Sequence, residues 1–361
     1  MRKVTLASVL TMLLLLLTLT AMAEPAALDL SGHSFEDLAE LTELLDQQEK
    51  TGTIVLGGGT LSVAERRALL ARYPEMHFVW TMDLWGVTVS SEDTSVTFEG
   101  KEAVSLYDLC DLLACMPGLK KVDMWDKQVN RKEMDALLAF PEVEVGMTIK
   151  LNKSHILRTD MTAYSTLGRQ PQITRSDTHY FTFLKNLKAL DVGHMFIQSL
   201  DFLEECSKLK ILIAADCSLK DISPIACQTD LEYVELFKNY ITDISPLAEL
   251  TNLRDLNIGY CQITDLSPLY DLPNLERVWL MGNWYLPDEE VERLREHQPD
   301  CEIVTFSYGA TGNLMTPDKK QIPGTSWRHH KHYDTIYWIF HNNEYIGWDV
   351  EVPQIKTVND P

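Results

Sequence analysis

An apolar pattern repeats every 22 residues between Leu187 and Asn283, with no insertion over five units. Each unit opens with a leucine, and further apolar residues follow three and five positions later. The opening leucines are Leu187, Leu209, Leu231, Leu253 and Leu275. A unit of this length cannot bury its own apolar face, so consecutive units must stack and share one core. The pattern therefore predicts a solenoid.

Within each unit, the two alternating apolar residues predict a short strand whose side chains face the core. The column after the strand holds Met195, Cys217, Asn239, Cys261 and Asn283. A buried Asn in that column can bond the backbone of adjacent turns, and Cys fills the same position as a small hydrophobe. Three units continue with Asp-Ile/Leu-Ser-Pro, which predicts Ser223, Ser245 and Ser267 as helix N-caps. A unit thus comprises a strand, a turn and a short helix or 3₁₀ segment.

The segment I-T-D-I-S-P-L-A-E-L-T-N-L at 241–253 resembles the 22-residue repeats of internalin-like bacterial leucine-rich repeat proteins. The resemblance covers five units, about a quarter of the chain. It implies an α/β fold, a right-handed solenoid with a parallel sheet on its concave side. It also implies binding of a protein or a surface rather than catalysis. Residues 147–151 and 158–167 are loosely similar to a segment in secreted leucine-rich repeat proteins of Gram-positive gut bacteria, a group without an assigned activity.

The chain begins with the features of a secretory signal peptide. Arg2 and Lys3 precede an apolar run, and Ala21-Met22-Ala23 supplies the small residues of a cleavage site. We expect cleavage after Ala23, a secreted or cell-surface protein, and no stable membrane anchor afterwards. The predicted divisions are a signal peptide at 1–23, a capping helix region at 24–50, an irregular leucine-rich-repeat-like α/β region at 51–166, regular repeats at 167–286, and a C-terminal helix-strand and aromatic cap at 287–361.

The charge of the chain restricts its partners. Lys and Arg number 32 and Asp and Glu number 53, which gives a formal net charge of −21. Such a surface repels nucleic acid and anionic lipid and favours neutral or cationic partners. The cysteines number seven, an odd count for an exported protein, and Cys206 with Cys227 is the one pair worth testing for a disulfide. We expect a monomer.

Candidates for chemistry are weak. Gly57-Gly58-Gly59 lacks the spacing of a phosphate loop and indicates a tight turn. His329, His330, His332 and His341 form the histidine cluster, which we interpret as solvated surface, with metal binding as the lesser alternative. We therefore predict a non-catalytic protein with no cofactor and no metal. The alternative is an exported hydrolase or carbohydrate-active enzyme with its site in the N-terminal region or the tail, where Trp80, Trp85 and Trp125 could line a sugar site.

The alternate strand residues should project from the face of the sheet that we call the concave face. The predicted ligand-binding residues on this face are Tyr233, Glu235, Phe237, Asp255, Asn257, Tyr260, Trp279 and Met281. Exposed aromatic side chains are enriched where proteins bind partners. The competing interpretation is that the aromatic tail, residues 305–361, folds back and covers the patch, because it has apolar surface left to bury.

Overall fold

The computed structural model describes residues 27–35, 37–48, 52–57, 61–99, 105–128, 131–137, 139–330 and 332–352. The predicted signal peptide lies outside these ranges, as do Gly58 and Gly59. The chain divides into two compact units, Met1–Val145 and Gly146–Pro361. No helix within the described ranges combines the length and apolarity needed to cross a bilayer.

The first unit starts with a three-stranded parallel sheet in the order β1-β2-β3. Its elements are β1 (Leu28–Leu30), α1 (Leu38–Asp46), β2 (Gly52–Leu56), α2 (Val63–Arg72) and β3 (Met76–Val79). Helix α2 begins where the sequence favours it, because the Ser62 hydroxyl accepts from the Glu65 backbone and the Glu65 carboxylate accepts from the Ser62 backbone. Helix α1 occupies part of the predicted amphipathic stretch and buries Leu41 and Leu45.

A hairpin and a second strand-helix-strand unit follow. The elements are β4 (Thr81–Leu84), β5 (Val87–Ser90), β6 (Ser95–Thr97), α3 (Leu106–Cys115), β7 (Lys121–Gln128) and α4 (Arg131–Leu137). Strands β4 and β5 are antiparallel, and Trp85 and Gly86 turn between them at φ of 56° and 78°. Strands β6 and β7 are parallel.

The second unit contains the long sheet. Strand β8 (Glu144–Lys150) starts at the end of the first unit and pairs antiparallel with β9 (Ile156–Arg158). Seven parallel strands then follow in chain order: β10 (Ala163–Ser165), β11 (Ala189–Asp191), β12 (Ile211–Ile213), β13 (Tyr233–Glu235), β14 (Asp255–Asn257), β15 (Arg277–Trp279) and β16 (Glu302–Val304). The α/β solenoid and its register are confirmed. The sheet also begins earlier than the predicted boundary at 166, because β10 pairs with β11.

Five 3₁₀ helices connect the strands of the long sheet, and the 3₁₀ helices of adjacent repeats pack against one another. They span Thr178–Phe183, Asp201–Glu205, Ser223–Cys227, Ser245–Glu249 and Ser267–Leu269. The predicted N-caps were wrong, because the N-cap positions hold Ile222, Ile244 and Leu266 and each serine is the first residue of its 3₁₀ helix. Instead each preceding aspartate carboxylate accepts from the serine backbone N–H at 2.8 Å, which stabilises the turn locally.

The predicted Asn column holds adjacent turns together. The Asn239 side-chain oxygen accepts from the backbone N–H groups of Cys217 and Leu219, and its amide nitrogen donates to the carbonyls of Ala214 and Leu236. All four polar valences of a buried amide are therefore satisfied. Asn283 repeats most of this pattern further along the sheet. The solenoid is thus held by a buried polar column as well as by its apolar core.

The C-terminal segment, residues 305–352, lies on the concave face. Helix α5 (Asp288–His297) first leads the chain into β16. The C-terminal segment then forms a 3₁₀ helix at Trp327–His329 and helix α6 (Tyr333–Asn342), which ends where Asn343 takes a φ of 55°. Helix α6 packs beside β10 and β11. The segment therefore covers strands well before the last repeat, which the sequence had offered only as the alternative.

Candidate functional site

Trp327 of the C-terminal segment fills the middle of the concave face. Its ring centroid lies 5.5 Å from that of Tyr233 and 5.7 Å from that of Trp279. Its indole N–H donates to a Glu235 carboxylate oxygen at 2.8 Å. Tyr233 and Trp279 are each 1% exposed. These aromatic residues thus form a core between the sheet and the C-terminal segment.

A buried ion pair stands beside this aromatic cluster. Arg277 Nε donates to Asp255 Oδ1 at 2.8 Å, and Arg277 Nη1 donates to the Trp327 carbonyl at 3.0 Å. The guanidinium carbon lies 3.6 Å from the centroid of the Trp327 ring. Burial acts to raise the pKa of Asp255, but the His332 hydrogen bond and the charge of Arg277 hold it below its usual value. Asp255 is therefore ionised and paired within the fold.

The neighbouring residue on the same strand is also covered. Asn257 was predicted to face outward, and it does project from the concave face, but it is 0% exposed. Its amide nitrogen donates to the Ala310 carbonyl at 2.8 Å, and its oxygen accepts from the Gly259 N–H. The prediction that Asn257 is open to solvent was wrong, because the C-terminal segment brings a backbone carbonyl against this side chain.

The eight predicted ligand-binding residues thus fall into two groups. Six are buried, namely Tyr233, Glu235, Phe237, Asp255, Asn257 and Trp279. Tyr260 and Met281 are partly exposed. The register that placed the strand members of this set on one face is confirmed, whereas the open surface expected over them is not present.

An open groove remains on the concave face, between the sheet and helix α6. It has a volume of about 380 Å³. The sheet side and the adjoining loops contribute Ser165, Leu167, Arg169, Asp191, Gly193, His194, Ile213, Ala215, Glu235 and Phe237, and the C-terminal segment contributes Arg328, Tyr333, Ile336, Tyr337, Phe340 and His341. The groove therefore has a wall rich in aromatic residues facing a mixed polar and apolar sheet. Glu235 and Phe237 are the two predicted binding residues that line it.

Two buried carboxylates lie at the sheet side of the open groove. Asp191 accepts from the Ser165 hydroxyl at 2.7 Å and from the Gly193 N–H at 2.9 Å. Glu235 accepts from the Trp327 indole and from the Tyr233 hydroxyl. Burial raises the pKa of both carboxyl groups. The groove thus presents carboxylates whose ionised form would be stabilised by an incoming cation.

Three members of the histidine cluster are partly or fully buried, contrary to the interpretation as solvated surface, whereas His341 is exposed. His332 Nδ1 lies 3.1 Å from Asp255 Oδ2, and His330 Nδ1 lies 3.7 Å from Asp255 Oδ1. His341 lines the open groove, and His329 Nδ1 lies 2.5 Å from the Ser326 hydroxyl. The histidine spacing was visible in the sequence, but its acidic partner on β14 was not, because only the folded C-terminal segment brings them together.

The remaining candidates, the tryptophans of the possible sugar site and the cysteines, make contacts that support the fold. Trp80 is buried, and its indole N–H donates to the Cys115 carbonyl, while Trp85 packs edge-on against Phe98. All seven cysteines fall in described ranges and are free thiols. The Cys206 thiol contacts the Phe181 carbonyl instead of bonding to Cys227.

Residues 251–286 match the family model described as leucine rich repeats, in two copies. The repeats of this chain are leucine-rich repeats. The same register runs through every strand pair from β11 to β15, so the leucine-rich repeat solenoid extends beyond the matched residues. No curated protein matches the chain in sequence.

Several solved leucine-rich repeat structures are similar to the chain. An internalin of Listeria monocytogenes, inlF, is 20% identical with a TM-score of 0.38, over 75% of this chain and 71% of that one. Internalin C2 of the same species is 22% identical with a TM-score of 0.34, over 62% and 87%. A leucine-rich repeat protein of Leptospira interrogans is 17% identical with a TM-score of 0.29, over 70% and 64%. The fold assignment rests on the sheet register and the repeat match.

Proposed function

We propose that this chain is a secreted, non-catalytic leucine-rich repeat protein that binds a protein or cell-surface ligand in the open groove on its concave face. Repeat solenoids of this kind use extended sheet surfaces to bind partners. The observation that carries the proposal is the open groove itself, where the C-terminal segment leaves Glu235 and Phe237 beside a cleft. Secretion is proposed from the signal-peptide pattern at 1–23.

The chemistry of the open groove favours a cationic side chain on the ligand. Asp191 and Glu235 supply carboxylates at the sheet, and Tyr337, which is 40% exposed, contributes to the aromatic wall. A lysine or arginine stem can pack on aromatic rings while its charged end reaches a carboxylate. Arg328 lies at the groove as well, and its charge acts on both acids, so a ligand cation would replace part of that interaction. The net charge of −21 favours the same class of partner.

The predicted patch then divides by role. All six buried residues of the patch contact the C-terminal segment, but only Glu235 and Phe237 also line the open groove. Phe237 packs with Ala215 and Ala310, and Tyr260 packs against this cluster. We therefore keep Tyr260 and Met281 as proposed contacts for a ligand longer than the groove.

The test uses the mature chain and a random peptide library. Peptides selected by the wild-type protein should be enriched in Lys or Arg, and exchanging that residue for Glu should weaken binding at least about tenfold. Tyr337→Ala should weaken the same peptides by about 1–3 kcal/mol. Its melting temperature should stay nearly unchanged, because Tyr337 is partly solvent-exposed on α6.

The matched control is Tyr285→Ala. Tyr285 is 73% exposed and does not line the open groove. It should bind the selected peptides like the wild type. Equal affinity of the Tyr337→Ala and wild-type proteins would place the ligand elsewhere and refute the groove as the site.

One observation favours a second function. A pair of carboxyl groups in one groove, with a raised pKa on the one that donates the proton, is also what a glycoside hydrolase uses. Against this, the oxygens of Asp191 and Glu235 accept hydrogen bonds from Ser165, Gly193, Tyr233 and Trp327. These bonds favour the ionised form, which can pair with a cation but cannot serve as the general acid of a hydrolase. Turnover of a glycan by the mature chain, abolished by Glu235→Gln, would replace the binding proposal with the enzymatic one.

A further inference from the structure

We propose a transition-metal site of the zinc type formed by Asp255, His330 and His332. Asp255 lies on β14, and both histidines lie in the turn between the 3₁₀ helix at Trp327–His329 and helix α6. One ligand atom from each residue lies within 4.8 Å of the others. The metal would therefore join the leucine-rich repeat sheet to the C-terminal segment.

The donor atoms lie close enough together for a single metal ion, with a different carboxylate oxygen of Asp255 nearest to each histidine. Zinc binds imidazole nitrogen and carboxylate oxygen at about 2.0–2.2 Å, so two ligands of one tetrahedron lie about 3.3 Å apart. His332 Nδ1 is 3.1 Å from Asp255 Oδ2, and His330 Nδ1 is 3.7 Å from Asp255 Oδ1. The two imidazole rings are inclined at 75° with centroids 4.7 Å apart, so they approach the carboxylate from different directions. Three protein ligands leave one position for water.

The donor set selects among metals. Two imidazole nitrogens and one carboxylate suit zinc, cobalt, nickel or copper, whereas calcium takes six to eight oxygen ligands. Binding replaces the proton that His332 and Asp255 now share in a hydrogen bond, and that proton leaves to solvent.

The surroundings both orient and weaken the site. Arg277 Nε donates to Asp255 Oδ1, which fixes the carboxylate as outer partners of metal ligands do. Arg254 Nη2 lies 3.4 Å from His332 Nε2 and is itself paired with Glu276 at 2.6 Å. The positive charge of Arg277 repels a metal ion bound to the same carboxylate. We therefore expect micromolar rather than nanomolar affinity for the metal.

A metal at this site would act as a clasp for the C-terminal segment. Its ligands come from the sheet and from the C-terminal segment, so the metal binds tightly only when the segment is docked on the sheet. A ligand of the docked state shifts the docking equilibrium in proportion to its free concentration over its Kd. The clasp does not depend on what enters the open groove, so the two proposals succeed or fail separately.

The experiment titrates Zn²⁺ into the untagged, chelator-treated mature chain at neutral pH by calorimetry. One Zn²⁺ should bind per chain, and His330→Ala and His332→Ala should each weaken binding at least about tenfold. His329→Ala is the matched control, because His329 is adjacent in sequence and is not one of the three proposed ligands; it should bind like the wild type. Saturating Zn²⁺ should also raise the melting temperature and slow amide exchange in α6, and it should do so only in the wild type and in this control.

The outcomes separate cleanly. If His332→Ala fails to fold, His330→Ala decides the question, because the His330 side chain is 19% exposed and tolerates truncation. No stoichiometric Zn²⁺ binding, or equal binding by wild type and His330→Ala, would overturn the site. Binding without any change in the exchange of α6 would overturn the clasp.

Discussion

The concave face has two parts that use the same repeat positions differently. On β13, β14 and β15, these positions carry Tyr233, Asp255 and Trp279, which are buried under the C-terminal segment. On β11 to β13, the corresponding face opens into the groove beside α6. The position of a residue in the repeat therefore decides only the direction in which its side chain projects. What packs over that side chain decides whether it stabilises the fold or is free to bind.

The largest expected loss of stability comes from a change in the solenoid core rather than in either part of the concave face. Leu256→Asp should cost about 5 kcal/mol or more, because Leu256 is 0% exposed and points into the stack, where an unpaired charge has no partner. Gln262→Asp, which adds the same charge at an exposed position of the same repeat, should change stability by less than about 0.5 kcal/mol. Urea unfolding measures both. Similar midpoints would overturn the assigned register.

The next effect tests the covered part. Trp327→Ala should cost about 3–5 kcal/mol, because it removes the ring that packs on Tyr233, Trp279 and Arg277. Amide exchange in α6 should also accelerate. Trp284→Ala, at an exposed tryptophan, should cost less than about 0.5 kcal/mol. A loss below about 1 kcal/mol for Trp327→Ala would mean that the C-terminal segment contributes little to the fold.

A smaller effect comes from the polar contact to the C-terminal segment. Asn257→Ala should cost about 1–3 kcal/mol, because it leaves the buried Ala310 carbonyl and the Gly259 N–H without their present partner. Asn252→Ala is the comparison, since its exposed side chain donates one bond to the Thr229 carbonyl. Thermal unfolding should rank Asn257→Ala as clearly the more damaging; the opposite order would argue that position 257 faces solvent.

The smallest expected change in stability comes from the open groove, and it depends on pH. Burial raises the pKa of Asp191 above its model-peptide value of 3.8, so the folded state holds this proton better than the unfolded chain. Wild-type stability therefore falls as pH rises from 3.8 through the folded pKa. Asp191→Asn should be more stable than the wild type at pH 7 by about 0.5–1 kcal/mol and equal to it near pH 3.

The control for this pH dependence is Asp216→Asn. Asp216 is exposed beside His194 in the adjacent repeat, at 3.2 Å. Its variant should show no gain at neutral pH. If Asp191→Asn is instead less stable at pH 7, the ionised carboxylate has a stabilising partner in the groove.

The repeat pattern alone predicted a large share of this molecule. The strand register from Leu187 to Asn283 follows from periodicity, and the Asn column follows from the hydrogen-bonding capacity of a buried amide. These features are local or repeat between neighbours, so the residues that make them are close in the sequence.

The predicted binding patch shows where that reasoning stops. The sequence analysis placed Trp279 among the exposed ligand-binding residues, and in the structure Trp279 is a buried part of the core. The N-cap serines were a smaller error of the same kind, because the preceding aspartate competes for the turn.

Periodicity along the chain is enough to predict the solenoid, its sheet, and the side from which Tyr233, Glu235 and Trp279 project. Three features follow only from the folded chain: Trp327 covers these residues, Asp255 meets His330 and His332, and a groove stays open beside α6. The two sets of features differ in the range of the interactions that produce them. Periodic burial is repeated every 22 residues and so is visible along the chain. The docking of one aromatic segment depends on shape and on contacts between residues far apart in the sequence, for which no repeated pattern exists.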